Sequence, residues 1–386
     1  MNRLNIEVLS AALFFASLSA VTAETDVVAA IKRLSSPEDY NRVRAAHSLG
    51  AMGKAALPAY DALFSVALSD ELTKVRRGAA EALGKIAKDK AVDAFIIQLK
   101  TNSRAIIREY AVDALKVKEL RSPISEEPLF QALKDENDRV RAKAAFALQY
   151  YESDRLAERL LDSLKREDDK VREWAPMLLG RMKCRAALTP LHGLLDDEDP
   201  KFRRSVITAL RFIPSETSVT PLVKVATQDE DNEVRIIAIL CLGDLGYVSA
   251  GKPLLKLLSD PNLEIKGYAA DAIGRLGIRD AKEPLRKMFK HGTPGEKLAA
   301  MGGLCLLDDR EAIPLIVDAF ETVPDQLIPR LVYGLLDLKA EKELRTLKDH
   351  KNKAISVAAH QALQKLERRN RPTNRMKATE KNNPRL

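Results

Sequence analysis

The 386-residue chain is 31% charged but only 5% aromatic, and its mean hydropathy is -0.22. That is a soluble, helix-rich composition with an aliphatic core. Three widely spaced cysteines, Cys184, Cys241 and Cys305, exclude a disulfide framework and leave packing as the source of stability. Of the net charge of +8, residues 367–386 hold seven basic and two acidic side chains. The mild excess left on the body is no electrostatic footprint for nucleic acid.

The N-terminus reads as an export signal. Asn2-Arg3 is a short positive start, Val8 to Val21 is apolar, and Val21-Thr22-Ala23 places small residues at a cleavage site before Glu24. The apolar run is too short for a membrane span, which takes about 20 residues. No cysteine near the cut supports a lipid anchor. The mature protein is therefore expected in the periplasm or outside the cell, with no transmembrane segment.

From residue 25 onward one pattern recurs. Taking the apolar residue of Val75-Arg76 as position zero, the anchors are Asn41, Val75, Ile107, Val140, Val171, Phe202, Val234, Ile265, Glu296, Leu327 and Ile355, spaced 28 to 34 residues apart. Position +8 is apolar in every copy, from Leu49 to Leu363, and +4 is mostly alanine. Positions zero, four and eight form one helical stripe, and small residues at +4 let neighbouring helices approach. Position +9 is glycine in five copies, which close contact with the next copy would explain. Gly53, Gly246 and Gly277 at +12 are expected as left-handed helix ends.

A second helical motif, Pro-Leu-x-x-Leu-Leu, lies between these stripes, as at Pro128, Pro190, Pro221, Pro253, Pro284 and Pro314. Proline is tolerated in a first helical turn, where its missing donor has no partner to lose. Ser36-Pro37, Asp199-Pro200, Asp260-Pro261 and Thr293-Pro294 read as cap and proline pairs. Pro176 is expected inside a second helix, kinking it. Each copy is thus two antiparallel helices, with no strand pattern. One such hairpin cannot bury its apolar face alone, but stacked copies bury one another's.

Pro-Leu-x-x-Leu-Leu, an acidic turn, then Val-Arg-x-x-Ala-x-x-Ala-Leu-Gly resembles the short bacterial HEAT-like repeat, the kind named after phycobilisome lyases. The resemblance covers roughly residues 25–366. It implies an all-α, right-handed α-solenoid of about eleven two-helix repeats. The expected organisation is a signal peptide over 1–23, a solenoid over 24–366 and a disordered basic tail over 367–386. Ankyrin is the rival, but its tetrapeptide occurs once, at Thr189-Pro190-Leu191-His192. HEAT-like deoxyhypusine hydroxylases use repeated His-Glu pairs for iron; none of His47, His192, His291, His350 and His360 is followed by Glu.

The +1 position is basic in nine copies: Arg42, Arg76, Arg108, Arg141, Arg172, Arg203, Arg235, Lys266 and Lys297. Acids in the preceding turns, Glu38, Asp70, Asp138, Asp169, Asp199, Glu233 and Asp260, point to an acid–base ladder rather than a polyanion site. The acidic turns at 167–169, 196–199 and 229–231 lack calcium-loop spacing and suit helix N-termini. No catalytic residue, cofactor or metal is expected.

In this hairpin type the second helix lines the concave side of the superhelix. Its outward positions, near +3, +6 and +10, carry Tyr110, Phe146, Tyr150, Trp174, Met177, Arg181, Phe212, Leu240, Tyr268 and Arg275. Two readings stay open: an exposed protein- or peptide-binding groove, or rings packed between repeats. The function expected is an exported, non-catalytic binding scaffold, monomeric, with the basic tail in weak contact with anionic surfaces. The resemblance implies one alternative, a chromophore lyase or chaperone-like protein.

Overall fold

The computed structural model describes residues 25–151, 153–166 and 170–370. The expected signal peptide, the acidic turn at 167–169 and residues 371–386 of the expected tail lie outside the described residues, while 367–370, expected as the start of that tail, end the last helix. The fold is an all-α solenoid with no strand among the described residues. It divides into two compact units, one ending at Cys184 and the other beginning at Arg185.

The first unit opens with α1 over 25–33, followed by α2 (Asp39–Met52), α3 (Tyr60–Ser69) and α4 (Thr73–Thr101). Next come α5 (Ala105–Leu115), α6 (Glu126–Ala132), α7 (Asp138–Leu148), α8 (Asp154–Ser163) and α9 (Ala175–Arg181). α4 is two helices in one: at Ala87 the backbone leaves helical geometry (φ -156°, ψ 66°), so its first half closes the second hairpin and its second half opens the third. The second helices α2, α4, α5 and α7 pack in sequence.

The second unit runs through α10 (Leu188–Gly193), α11 (Pro200–Phe212), α12 (Val219–Gln228), α13 (Asn232–Leu245) and α14 (Gly251–Lys256). It continues with α15 (Leu263–Arg275), α16 (Lys282–His291), α17 (Pro294–Leu306), α18 (Ile313–Ala319), α19 (Ile328–Asp337), α20 (Glu341–Leu347) and α21 (Lys353–Asn370). Here α11, α13, α15, α17, α19 and α21 are the second helices, each packed on the next.

Burial follows the repeat. The +8 residues from Leu49 to Leu363 are buried in all eleven hairpins, and the +4 alanines with them. Of the +9 glycines, Gly243 and Gly274 meet the following hairpin: a methyl on Gly243 would lie 3.1 Å from the Ala272 Cβ, and one on Gly274 would lie 2.6 Å from the Leu306 Cβ. Contacts this close leave no room for a side chain at the glycine. On the first helices Leu129, Leu191, Leu222, Leu254 and Leu285 are buried. The tenth hairpin is shifted by one residue, burying Ile316 in place of Leu315.

Three local expectations need correction. Pro176 does not kink a helix. Residues 171–174 form turns and α9 begins at Ala175, which puts the proline in its first turn, where no amide donor is needed. Ser36 and Asp260 are not caps; they accept from the backbone two residues on, and Glu38 and Asn262 occupy the cap positions. Asp199 and Thr293 do cap, and Thr293 forms a capping box with Glu296. The left-handed +12 conformation also extends beyond the glycines to Lys183, Asp308 and Lys339.

Candidate functional site

The basic residues at +1 form a ladder with a consistent geometry. Arg42 bridges to Asp70 (2.7 Å), Arg108 to Asp135 (2.8 Å) and Arg203 to Asp229 (2.8 Å); Arg235 pairs with Asp260 and Lys266 with Glu296. Each cation thus holds the turn of the following hairpin. A terminal nitrogen of the same arginine ties its own preceding turn: Arg203 Nη1 donates to the carbonyls of Asp197 and Glu198. The accepting aspartate also takes a backbone N–H two residues on, as Asp229 does from Asp231. Burial pushes the Asp135 carboxyl up, but Arg108 and the Asn137 amide outweigh that and leave it below its ordinary value.

The acids that complete this ladder stand five residues before the next anchor: Asp70, Asp135, Asp229 and Asp260. Only Asp70 and Asp260 were among the acids expected from sequence. Of the others, Asp138 pairs within its own hairpin with Arg141, Glu233 pairs with Arg204, Asp199 caps α11, and Glu38 accepts from Asn41. Asp169 lies outside the described residues. An arginine side chain spans to the neighbouring turn, so spacing within one copy does not find its partner.

Three described rungs lack a cross-hairpin acid: Arg141 turns to Asp138 of its own hairpin, Lys297 donates to the carbonyls of Phe289 and Lys290, and the third is at Arg76. Arg76 is buried and ties the carbonyls of Asp70 and Glu71 in the usual way, but the residue facing it in the next turn is Asn102. Arg76 has no carboxylate partner among the described residues. Its guanidinium carbon instead lies 3.9 Å from the centre of the Tyr110 ring, and its Nε has no acceptor. The side chain of a second arginine nearby, Arg121, has no ion pair or hydrogen bond among the described residues. It stacks 4.7 Å from the centre of the Tyr150 ring.

Both arginine–tyrosine stacks line one cavity of about 410 Å³ in the first unit, formed by α4, α5 and the turns after them. Cavities of roughly 300–1,000 Å³ are the usual size for ligand sites. Of the charged side chains on this wall five are basic and three, Glu81, Asp113 and Glu119, are acidic. Arg77 pairs with Glu81 (2.8 Å), while Lys116 and Lys143 pair with Asp113.

The residues expected along the second helices fall on both units. In the first, Phe146 and Tyr150 are 53% and 45% exposed, Arg181 is exposed, and Tyr110, Trp174 and Met177 are half-buried. The Trp174 indole N–H is turned inward, with no acceptor among the described residues. In the second, Tyr268 and Arg275 are exposed, Phe212 and Leu240 half-buried. Arg275 is occupied by ion pairs to Asp244 and Asp271. The structure therefore brings Tyr110 and Tyr150 together at one cavity. It adds Arg76 and Arg121, which sequence reasoning did not select for a binding site.

Chemistry elsewhere is quiet. Among the described residues no group of His, Cys, Asp and Glu is placed to hold a metal ion, and no helix is long and apolar enough to cross a membrane. Burial pushes the Cys241 and Cys305 thiols up to about 12, so both stay protonated at neutral pH.

HEAT repeats are recognised at residues 27–116, 93–175, 126–211, 157–243 and 219–301, well over half of the chain. No curated protein matches it. Among solved structures it is similar to importin beta (14% identity, TM-score 0.58, covering 86% of this chain and 55% of that one). It is also similar to yeast importin-beta, Kap95p (12%, 0.58, 94% and 58%), and to Kap121p (11%, 0.53, 88% and 45%). The chain spans about half the length of these structures, and at such identities the likeness is one of fold. Repeat spacing, buried stripes and family match agree: this chain belongs to the HEAT-repeat family.

Proposed function

We propose that the protein is an exported, non-catalytic scaffold that binds a protein or peptide on the face formed by its second helices, centred in the first unit. The observation that carries this reading is the exposed pair Phe146 and Tyr150 beside the cavity of Arg76, Tyr110 and Arg121. Aromatic and arginine side chains are the residues that dominate protein interfaces. A photoreactive side chain at Phe146 should form a discrete protein adduct in cells, whereas one at the exposed Ile97, on a first helix, should not. Equal labelling from both positions contradicts the reading. Export predicts that the purified chain starts at Glu24, which intact mass reports. A scaffold purifies colourless; a bound pigment would favour the chromophore-lyase alternative.

A further inference from the structure

We infer that the cavity in the first unit accepts a carboxylate from an acidic segment of the partner, drawn by the uncompensated charge of Arg76 and bound by Arg121. The inference rests on the scaffold reading above and specifies its chemistry. Four equivalent arginines, Arg42, Arg108, Arg203 and Arg235, are each neutralised by an aspartate from the next hairpin. At Arg76 the corresponding residue is Asn102. The asparagine keeps the turn, because its Oδ1 accepts the Arg104 amide at 3.0 Å as the aspartates accept theirs. What it removes is the negative charge. A buried cation is thus left without its counter-ion at the wall of a cavity, where a charge acts over a longer range than in water.

The two arginines divide the work. Arg76 spends its terminal nitrogens on Asp70, Glu71 and Thr73, so it supplies field rather than hydrogen bonds. Arg121 is only half-buried, and its terminal N–H groups have no partner among the described residues. Held over the Tyr150 ring at the cavity wall, its guanidinium leaves a planar fork for a carboxylate, the partner arginine binds most strongly. Tyr110 and Tyr150 offer ring surface for an apolar neighbour of the acid. The carboxylates of Glu81, Asp113 and Glu119 on the same wall oppose dense negative charge, which favours the spaced acids of a peptide over the unbroken phosphates of a nucleic acid.

The test is binding of a fluorescein-labelled decapeptide alternating glutamate and phenylalanine to the intact chain. It is compared with the glutamine–phenylalanine counterpart and a single-stranded RNA decamer. The acidic peptide should bind at least about tenfold more tightly than either, the equivalent of one charge-assisted hydrogen bond. Asn102→Asp restores the rung and should weaken that binding about tenfold while leaving the melting temperature equal or higher. Arg121→Gln should weaken it similarly. Equal binding of the neutral peptide, tighter binding of RNA, or an Asn102→Asp variant that binds like the parent overturns the inference. A Phe146 adduct that forms despite such a result would leave the scaffold reading standing.

Discussion

At the residue scale the ladder separates buried from exposed charge. Asp229 and Arg203 are each about 6% exposed, so removing the carboxylate strands a cation inside the stack. Asp229→Ala should cost about 3 kcal/mol in chemical denaturation. Asp138→Ala, which breaks an exposed pair with Arg141, should cost under about 1 kcal/mol. Glu296 gives the ladder a pH signature. Hydrogen bonds from Lys266 and Thr293 hold its carboxyl down at about 2, against an ordinary 4.5. The stabilisation this brings is complete above 4.5 and fades as pH falls toward 2. Glu296→Gln should therefore lower stability at pH 7 and flatten the decline between those values, as urea titrations at stepped pH would show. The basic residues were legible in the sequence because they recur at +1. Their partners were not, because the pairing crosses from one copy to the next. The missing rung at Asn102 becomes visible only in that cross-copy register.

At the element scale, packing of second helix on second helix depends on glycines that differ in role. Gly274 faces α17 closely enough that an added methyl collides with Leu306, and Gly274→Ala should destabilise by about 1–3 kcal/mol. Gly302, on α17 itself, has open space where a methyl would go, so Gly302→Ala should stabilise by about 0.5–1 kcal/mol through helix propensity. Thermal melts of the two variants should move in opposite directions. The sequence showed the close-contact glycines because they recur at +9. It did not show Lys183, Asp308 and Lys339 in left-handed backbone, because lysine and aspartate also occupy ordinary helix and do not mark that conformation as glycine does. The +12 position ends these helices whatever residue stands there: the next first helix must start in a fixed place, and tertiary packing overrides local preference. The late start of α9 was hidden for the opposite reason, because the Val171-Arg172 motif read as helix while Pro176 set the true start.

At the scale of the whole molecule, each hairpin shields its neighbours, so stability is a sum of repeats and the interfaces between them. Deleting residues 219–250 joins equivalent points of successive hairpins and should leave a cooperatively folded, shorter protein. Deleting only α13 with its turn, 229–250, should leave apolar faces uncovered and produce loss of helicity or aggregation by circular dichroism and light scattering. The same repetition made the fold legible from the sequence. The binding face was less so, because +3, +6 and +10 carry whatever residues the partner requires and follow no period. The central claim is that this face in the first unit recruits the partner. Its most direct test is the double variant Phe146→Ser/Tyr150→Ser, assayed for co-purification of the protein crosslinked at Phe146. Both side chains are exposed, so the account predicts an unchanged melting temperature and loss of the partner. Undiminished co-purification would contradict it.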